Sequence, residues 1–314
     1  MDYVFLILGL FLLAMGGELL VKGSVSLALR LKISTLVVGM TVVSLATSAP
    51  ELLVSLDAAL GGYPDISLGN VIGSNIANMG LVLGLTALIF PLNVTSDTYK
   101  ANYPMLLGVS LAFVWFIYQF HAIQFWMGVI FILSLIFFVF TIIRNSRKKS
   151  IQLTQEDDFL EEVKSYPVWK STAYLVLGGL ALYFGADFLI NGAISIAREW
   201  GVTERVISIS VVAVGTSVPE LAASIVAAVR KEESLAVGNL LGSNIFNLLA
   251  VLGITSLITN IPVLDAKIYT KDIWMMLVFV LLLYPIMRLY SKSTIDRLEG
   301  SVMLLAYILY IYFL

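Results

Sequence analysis

Two glutamates sit where the chain is otherwise almost purely apolar. Glu51 follows the run ISTLVVGMTVVSLATSAP, and Glu220 follows RVISISVVAVGTSVP. An ionisable side chain at such depth in an apolar segment is costly, so it normally faces a partner, an ion or water. On a helix, Thr47 and Ser48 share a face with Glu51, and Thr216 and Ser217 share one with Glu220. Pro50 strands the carbonyl of Ala46, and Pro219 that of Gly215. Backbone freed in this way is tolerated in a bilayer only where it is buried in protein or lines a cavity.

Further along, Ser74 and Asn78 are one helical turn apart, as are Ser243 and Asn247. Gly69, Gly73, Gly238 and Gly242 permit close approach of neighbouring backbones. Asn70, Asn239, Asn75 and Asn244 read as hydrogen bonds between helices rather than ligands. The donor set is then two carboxylates, six hydroxyls and two amides, every one a hard oxygen ligand. The chain has no cysteine, and its one histidine, His121, falls in an outer loop. Such a set suits Ca²⁺ or Na⁺ and argues against zinc, copper or iron. Two glutamates make a site of charge −2, balanced by one Ca²⁺ or by two or more Na⁺. Competition of two ions for one such site is the simplest physical basis for an antiporter. A buried hydrogen-bond network that merely holds helices together is the plain alternative.

The elements that position these residues are membrane helices. Of 314 residues, 59% are hydrophobic and 13% charged, with a mean hydropathy of +0.95. Ordinary soluble domains are about 25% charged. This composition excludes a soluble enzyme, a disordered chain and an outer-membrane barrel, whose alternating strands give a weaker signal. A net charge of −2 provides no basic face for nucleic acid. The absence of cysteine excludes disulfides and thiol catalysis. No signal peptide is expected, since Met1-Asp2-Tyr3 lacks a basic start. A crossing needs roughly 20 apolar residues. Ten runs qualify: 3–21, 34–60, 66–90, 103–120, 123–143, 168–197, 203–229, 234–260, 272–290 and 299–314. Lys and Arg number 15 on one side and 4 on the other, by their positions between these runs. The positive-inside rule then puts both termini outside and the central loop, 144–167, in the cytoplasm. Trp126, Trp169, Trp200 and Trp274 fall near span ends, as interfacial indoles do.

Shifting the chain by 169 positions superposes its halves without a gap. Gly9 meets Gly178, Gly16 meets Gly185 and Glu18 meets Asp187. TSAPEL (47–52) meets TSVPEL (216–221), and GNVIGSNIANMGLVLG (69–84) meets GNLLGSNIFNLLAVLG (238–253). Five spans per half is odd, so the second copy must run upside down. The expected fold is all-α and polytopic, with ten transmembrane helices as two inverted five-helix repeats, 1–143 and 168–314, around a loop at 144–167. Inverted repeats recur in secondary transporters, with the site near the midplane where the repeats meet.

At these residues the sequence resembles the calcium/cation antiporter superfamily, in its sodium/calcium exchanger branch of prokaryotic type. SLATSAPELLVS with GNVIGSNIANMG, and AVGTSVPELAAS with GNLLGSNIFNLL, look like that family's paired alpha-repeats. The resemblance implies ion sites clustered between helices 2, 3, 7 and 8. Glu51 and Glu220 would be the main Ca²⁺ ligands, with Thr47 and Thr216 helping through backbone carbonyls. The hydroxyls of Ser48, Ser74, Ser217 and Ser243 would serve Na⁺, and Asn78 and Asn247 would complete the middle. Ser44 and Ala213 would offer backbone carbonyls, and helices 1 and 6 would slide across the site. Three departures stand out. Ala46 replaces the glycine usual before Thr-Ser, whose methyl could weaken one Na⁺ position. Ser44 stands where alanine is common, and its hydroxyl could add a ligand. Asn247 is aspartate in some relatives, and asparagine argues against K⁺ dependence.

Other charged residues have plainer readings. Glu18 has Lys22 one turn on, a local ion pair, with gating of ion entry as the sharper alternative. The acidic run Glu156, Asp157, Asp158, Glu161, Glu162 lacks the spacing of an EF-hand loop and reads as solvated. The functional expectation is a cell-membrane antiporter exchanging Na⁺ for Ca²⁺ by alternating access, neither an enzyme nor a cofactor protein. Its partners are the two ions and the bilayer, with no protein partner implied and a monomer sufficient. The runner-up is a proton-driven Ca²⁺ antiporter with Glu51 and Glu220 as proton carriers. A channel or an intramembrane hydrolase is a third class. The first has no need of two inverted copies, and the second finds no acid or lysine paired with either glutamate.

Overall fold

The structure is a computed structural model that describes residues 2–149, 166–202, 215–288 and 293–313. It is helical almost throughout. In chain order the helices are α1 (Asp2–Leu31), α2 (Thr35–Thr47), α3 (Ala49–Leu60), α4 (Pro64–Ile89), α5 (Thr98–Phe120) and α6 (Phe125–Lys149), followed in the second half by α7 (Val168–Glu199), α8 (Val218–Val229), α9 (Glu233–Ile258), α10 (Ile268–Arg288) and α11 (Arg297–Tyr312). Among the described residues seven helices are long and apolar enough to cross a membrane. The pair α2 and α3, bent by 44° at Ser48, makes an eighth if taken as one span. Of the expected span 203–229, α8 and the short segment before it are described. Residues 203–214, including Ala213, lie outside the described residues, as does the acidic run of the central loop.

The first helix continues ten residues beyond the expected end at 21, because Lys22 and Arg30 do not break a helix that has reached a polar boundary. Its 30 residues rise about 45 Å, more than the roughly 30 Å of hydrocarbon, and its charged C-terminal turns, with Lys22 and Arg30, account for the excess. The lipid-facing surface is apolar: Ile7 and Phe11 on α1, and Leu133, Phe137 and Phe140 on α6, are exposed. In soluble proteins such a surface would be an interaction patch; here it matches hydrocarbon. The most enclosed helices are α4 and α9, 72% and 83% buried over their apolar windows, against 28% for α6 and α7. These two central helices carry the Gly-Asn-rich segments, so the polar residues there are shielded by protein rather than lipid.

Packing follows the 169-residue repeat. A methyl built on Gly9 would lie 2.8 Å from the Gly185 carbonyl oxygen, and one on Gly16 would lie 2.9 Å from that of Gly178. Gly23 approaches Ser171 and Leu175 in the same way. Numbers fall along α7 as they rise along α1, so the two helices are antiparallel. Each glycine meets the copy of the other, and only side chains this small allow backbones so close. The same reciprocity joins Gly84 on α4 to Gly300 on α11, while on α9 and α6 a methyl on Gly128 would meet the Gly253 carbonyl and one on Gly253 would meet Ile132 and Phe131. Two short antiparallel ribbons repeat it: β1 (Leu92–Asn93) with β4 (Thr294–Ile295), and β2 (Ala122–Ile123) with β3 (Ile261–Pro262).

The chain turns gather into two groups. At one end Arg30 binds the Tyr166 carbonyl, the Ser34 amide binds Ser146 Oγ, the Asn93 amide binds Glu233, and Arg288 lies over the Tyr99 ring. At the other, the Leu264 amide donates to Asp65, and Tyr118 and His121 both bind Tyr269. The basic-rich and basic-poor turns inferred from the sequence segregate along these two groups.

Candidate ion site

Both Thr-Ser-x-Pro-Glu segments interrupt their helices at the same place. Ser48 has φ −86° and ψ 5°, and Ser217 has φ −88° and ψ 2°, the bridge region that stops regular α-helix. Pro50 and Pro219 then sit in the first turn of α3 and α8, where a missing amide costs nothing. The continuous helical face expected for Thr47, Ser48 and Glu51 is therefore absent. The threonine ends one segment, the serine is the break, and the glutamate lies in the first turn of the next. There the amide ends of the helix favour a negative charge.

Glu51 and Glu220 are fully buried, and the Glu51 carboxylate feels the charge of Glu220. Ser48 Oγ donates to Glu220 Oε1 at 3.4 Å. Among the described residues, both Glu51 oxygens and Glu220 Oε2 have no protein partner. Thr47 Oγ1 lies 3.3 Å from Ser243 Oγ, and Thr216 Oγ1 lies 3.3 Å from Ser74 Oγ. These are repeat-related contacts of equal length, each joining one half of the chain to the other. Asn78 and Asn247 begin the π-helical turns Asn78–Leu83 and Asn247–Val251, and both are buried with no partner for either amide atom. A π turn in an α-helix commonly marks a functional position. No sequence pattern announced these turns.

The structure brings together Thr47, Ser48, Glu51, Ser74, Thr216, Ser217, Glu220 and Ser243 as buried or half-buried groups on α2, α3, α4, α8, α9 and the short stretch before α8. Ser217 Oγ, like the glutamate oxygens, has no protein partner. Ser44 departs from the sequence expectation for its hydroxyl. Ser44 Oγ is within hydrogen-bonding distance of the Gly39 and Asn239 carbonyls, at 2.8 and 3.0 Å, so it locks α2 to α9. The Ala46 methyl faces Gly179 of α7 without crowding it, since even a methyl built on that glycine would lie 3.5 Å away.

Three of the four asparagines read as interhelical bonds make them with their side chains, whereas the Asn244 amide donates to the Leu240 carbonyl on its own helix, at 2.8 Å. Asn239 accepts from Thr47 at 3.2 Å and donates to Ser224 at 3.2 Å, while Asn70 donates to Ser55 at 2.9 Å and to the Glu51 carbonyl at 3.2 Å. Asn75 reaches the Asn244 carbonyl at 3.4 Å. Ser55 and Ser224, fully buried behind the glutamates, escaped the sequence reading. Their match at the 169-residue offset was the available signal.

The buried carboxylates require neutralisation, by a cation or by protons. Two carboxylates in low dielectric cost many kcal/mol unless opposite charge accompanies them. Asn78, Asn247 and Ser217 add buried oxygens without hydrogen-bond partners among the described residues, of the kind a hard cation takes.

The family model described as sodium/calcium exchanger protein matches residues 1–144 and 170–314. The chain belongs to the sodium/calcium exchanger family. That family comprises transporters and not enzymes. The CaxA protein of Alkalimonas amylolytica is 37% identical over 99% of this exchanger-family chain and 98% of its own. An uncharacterized membrane protein of Methanocaldococcus jannaschii is 35% identical over 97% and 95%. Sodium/calcium exchanger MaX1 of Methanosarcina acetivorans is 29% identical over 99% and 97%. Among solved structures, the sodium-calcium exchanger NCX_Mj soaked with 100 mM Na⁺ and 10 mM Sr²⁺ aligns with a TM-score of 0.82. It is 31% identical over 100% of this exchanger and 98% of that chain.

Proposed function

We propose that this exchanger carries Na⁺ one way and Ca²⁺ the other through the site at Glu51 and Glu220, by alternating access. The observation that carries the proposal is a pair of fully buried carboxylates, one from each half and close enough to interact, beside hydroxyls that contact each other across the two halves. In this reading Glu51 and Glu220 are the main Ca²⁺ ligands, with Thr47 and Thr216 assisting through backbone carbonyls. Ser48, Ser74, Ser217 and Ser243 serve Na⁺, Asn78 and Asn247 complete the centre, and Ser44 and Ala213 contribute carbonyls. A site of charge −2 crosses the bilayer cheaply only when neutralised, and one Ca²⁺ or a set of Na⁺ each neutralises it. That condition couples the two fluxes.

Ten spans in two inverted repeats, 1–143 and 168–314, are the architecture this requires. The antiparallel α1–α7 pair and the reciprocal glycine contacts support it. So does the exchange of β-ribbons between halves. The basic-rich group of turns then belongs in the cytoplasm with the central loop, and both termini lie outside. The protein acts in the cell membrane, and a single chain contains the whole site.

Purified protein in Na⁺-loaded liposomes tests the proposal by Ca²⁺ uptake on dilution into choline buffer, with pH equal and voltage clamped near zero. Uptake that requires internal Na⁺ is the expected result. Uptake that appears only with an imposed pH gradient makes the glutamates proton carriers and overturns the sodium ligands.

A further inference from the structure

Glu18 on α1 is held by more than its neighbour. Lys22 lies 3.4 Å away, one turn along the same helix. The shorter contacts come from the other half of the chain: Arg230, at the end of α8, donates through Nε to Oε2 at 2.8 Å and through a terminal nitrogen to Oε1 at 2.6 Å. This is a bidentate fork, the most geometrically specific of ion pairs. Beside it α1 rests directly on α8. A methyl built on Gly17 would meet Val226 Cγ2 at 2.8 Å and the Ala222 carbonyl at 3.3 Å.

The repeat-related surfaces are arranged differently. Gly17 and Glu18 correspond to Ala186 and Asp187 on α7, and Ala222, Val226 and Arg230 correspond to Leu53, Asp57 and Gly61. Leu53 is 57% exposed and Asp57 is exposed as well, so α7 does not cover α3 as α1 covers α8. Asp187 instead accepts from Asn191 on its own helix, at 3.0 Å, and Gly61 has no side chain to offer. Two inverted repeats interconvert by exchanging their conformations. In the exchanged state, α1 would leave α8 as α7 has left α3, and the Glu18–Arg230 fork would open.

We propose that Glu18 and Arg230 are positioning residues for transport: a one-sided latch that holds α1 against α8 and favours the state closed at the basic-rich, cytoplasmic end. Among the described residues the repeat-related positions form no such latch, because they are Asp187 and Gly61. The proposal rests on the alternating-access reading given above. A ligand acts on such an equilibrium only through differential affinity, and so does a latch. Breaking it shifts population toward the cytoplasm-open state without touching the ion ligands.

The absence of native cysteine makes the test direct. In Glu18→Cys/Arg230→Cys, a short bis-methanethiosulfonate cross-linker should join the two positions, arrest Ca²⁺ uptake, and release it on reduction. Glu18→Gln and Arg230→Gln should raise the external half-saturating Ca²⁺ and lower the internal one, each by about two- to fivefold. The swap Glu18→Arg/Arg230→Glu should restore both values. A purely structural role would move the two sides together. Failure of the cross-link to form, undiminished transport once it has formed, or parallel shifts on both sides each overturn the latch. Loss of Na⁺-dependent uptake in the wild-type protein instead overturns the proposed function, and the latch with it.

Discussion

Ser48 donates its hydroxyl to Glu220 Oε1 at 3.4 Å, tying the helix break of one half to the carboxylate of the other. The repeat-related Ser217 Oγ has no such partner, and neither Glu51 oxygen has one. The site is thus symmetric in composition and asymmetric in its bonds. Both properties bear on transport, since a ligand already engaged in a protein hydrogen bond must exchange it for an ion.

Replacing either glutamate by glutamine removes half the charge while keeping shape. Glu51→Gln and Glu220→Gln are each expected to reduce Na⁺-driven Ca²⁺ uptake to the level of empty liposomes. Asp157→Asn, in the acidic loop, should leave uptake unchanged. Isotope flux at saturating Ca²⁺ checks this, and normal flux in either glutamine variant would remove that glutamate from the site.

The serines should separate by the bonds they make. Ser48→Ala deletes a hydrogen bond to a carboxylate, worth at least about 1.5 kcal/mol, or about tenfold in affinity. Ca²⁺ no longer has to displace that bond, so its apparent affinity should rise by up to that factor, while the Na⁺ requirement rises with the lost Na⁺ ligand. Ser217→Ala deletes a hydroxyl without a protein partner, so its effect should appear in the Na⁺ concentration needed for exchange. Titrations of each ion against fixed levels of the other distinguish the two.

Close backbone approach at α2 and α9 has a measurable cost of intrusion. A methyl on Gly242 would lie 2.6 Å from the Met40 Cα and 2.8 Å from its carbonyl oxygen, neither of which can turn aside. Gly242→Ala should destabilise the detergent-solubilised protein by about 1–3 kcal/mol. Gly108→Ala, with open space around the new methyl, should not. Thermal unfolding of the two variants side by side is the comparison.

Ala46 departs from the glycine expected before Thr-Ser, yet its methyl has space beside Gly179. Ala46→Gly is therefore expected to keep the Na⁺ dependence of uptake within about twofold, since no strained contact is relieved. A large gain in Na⁺ affinity would mean that the methyl does displace a ligand.

The sequence alone carried the membrane class and the 169-residue repeat, and it named nearly all of the residues proposed for the site. Apolar run length is a one-dimensional property, and so is an offset that pairs Pro with Pro, Glu with Glu and Asn with Asn. Buried polar residues in lipid are costly enough that their presence at matched positions already pointed to a site. Boundaries were less legible. The first helix outruns its apolar stretch because charged residues at a bilayer edge do not end helices, and the π turns at Asn78 and Asn247 have no residue signature.

Partners were decided only in three dimensions. Glu18 was readable as a match for Lys22 four residues on, because local spacing is all that a sequence displays. Its fork with Arg230 spans 212 positions and arises from the packing of α1 on α8. The Ser44 hydroxyl looked like a spare ligand and is occupied by the Gly39 and Asn239 carbonyls. The two halves of the site are alike in residues because both were written from one pattern. They differ in bonds because a chain packed in one conformation can place only one of two equivalent helices against its neighbour at a time.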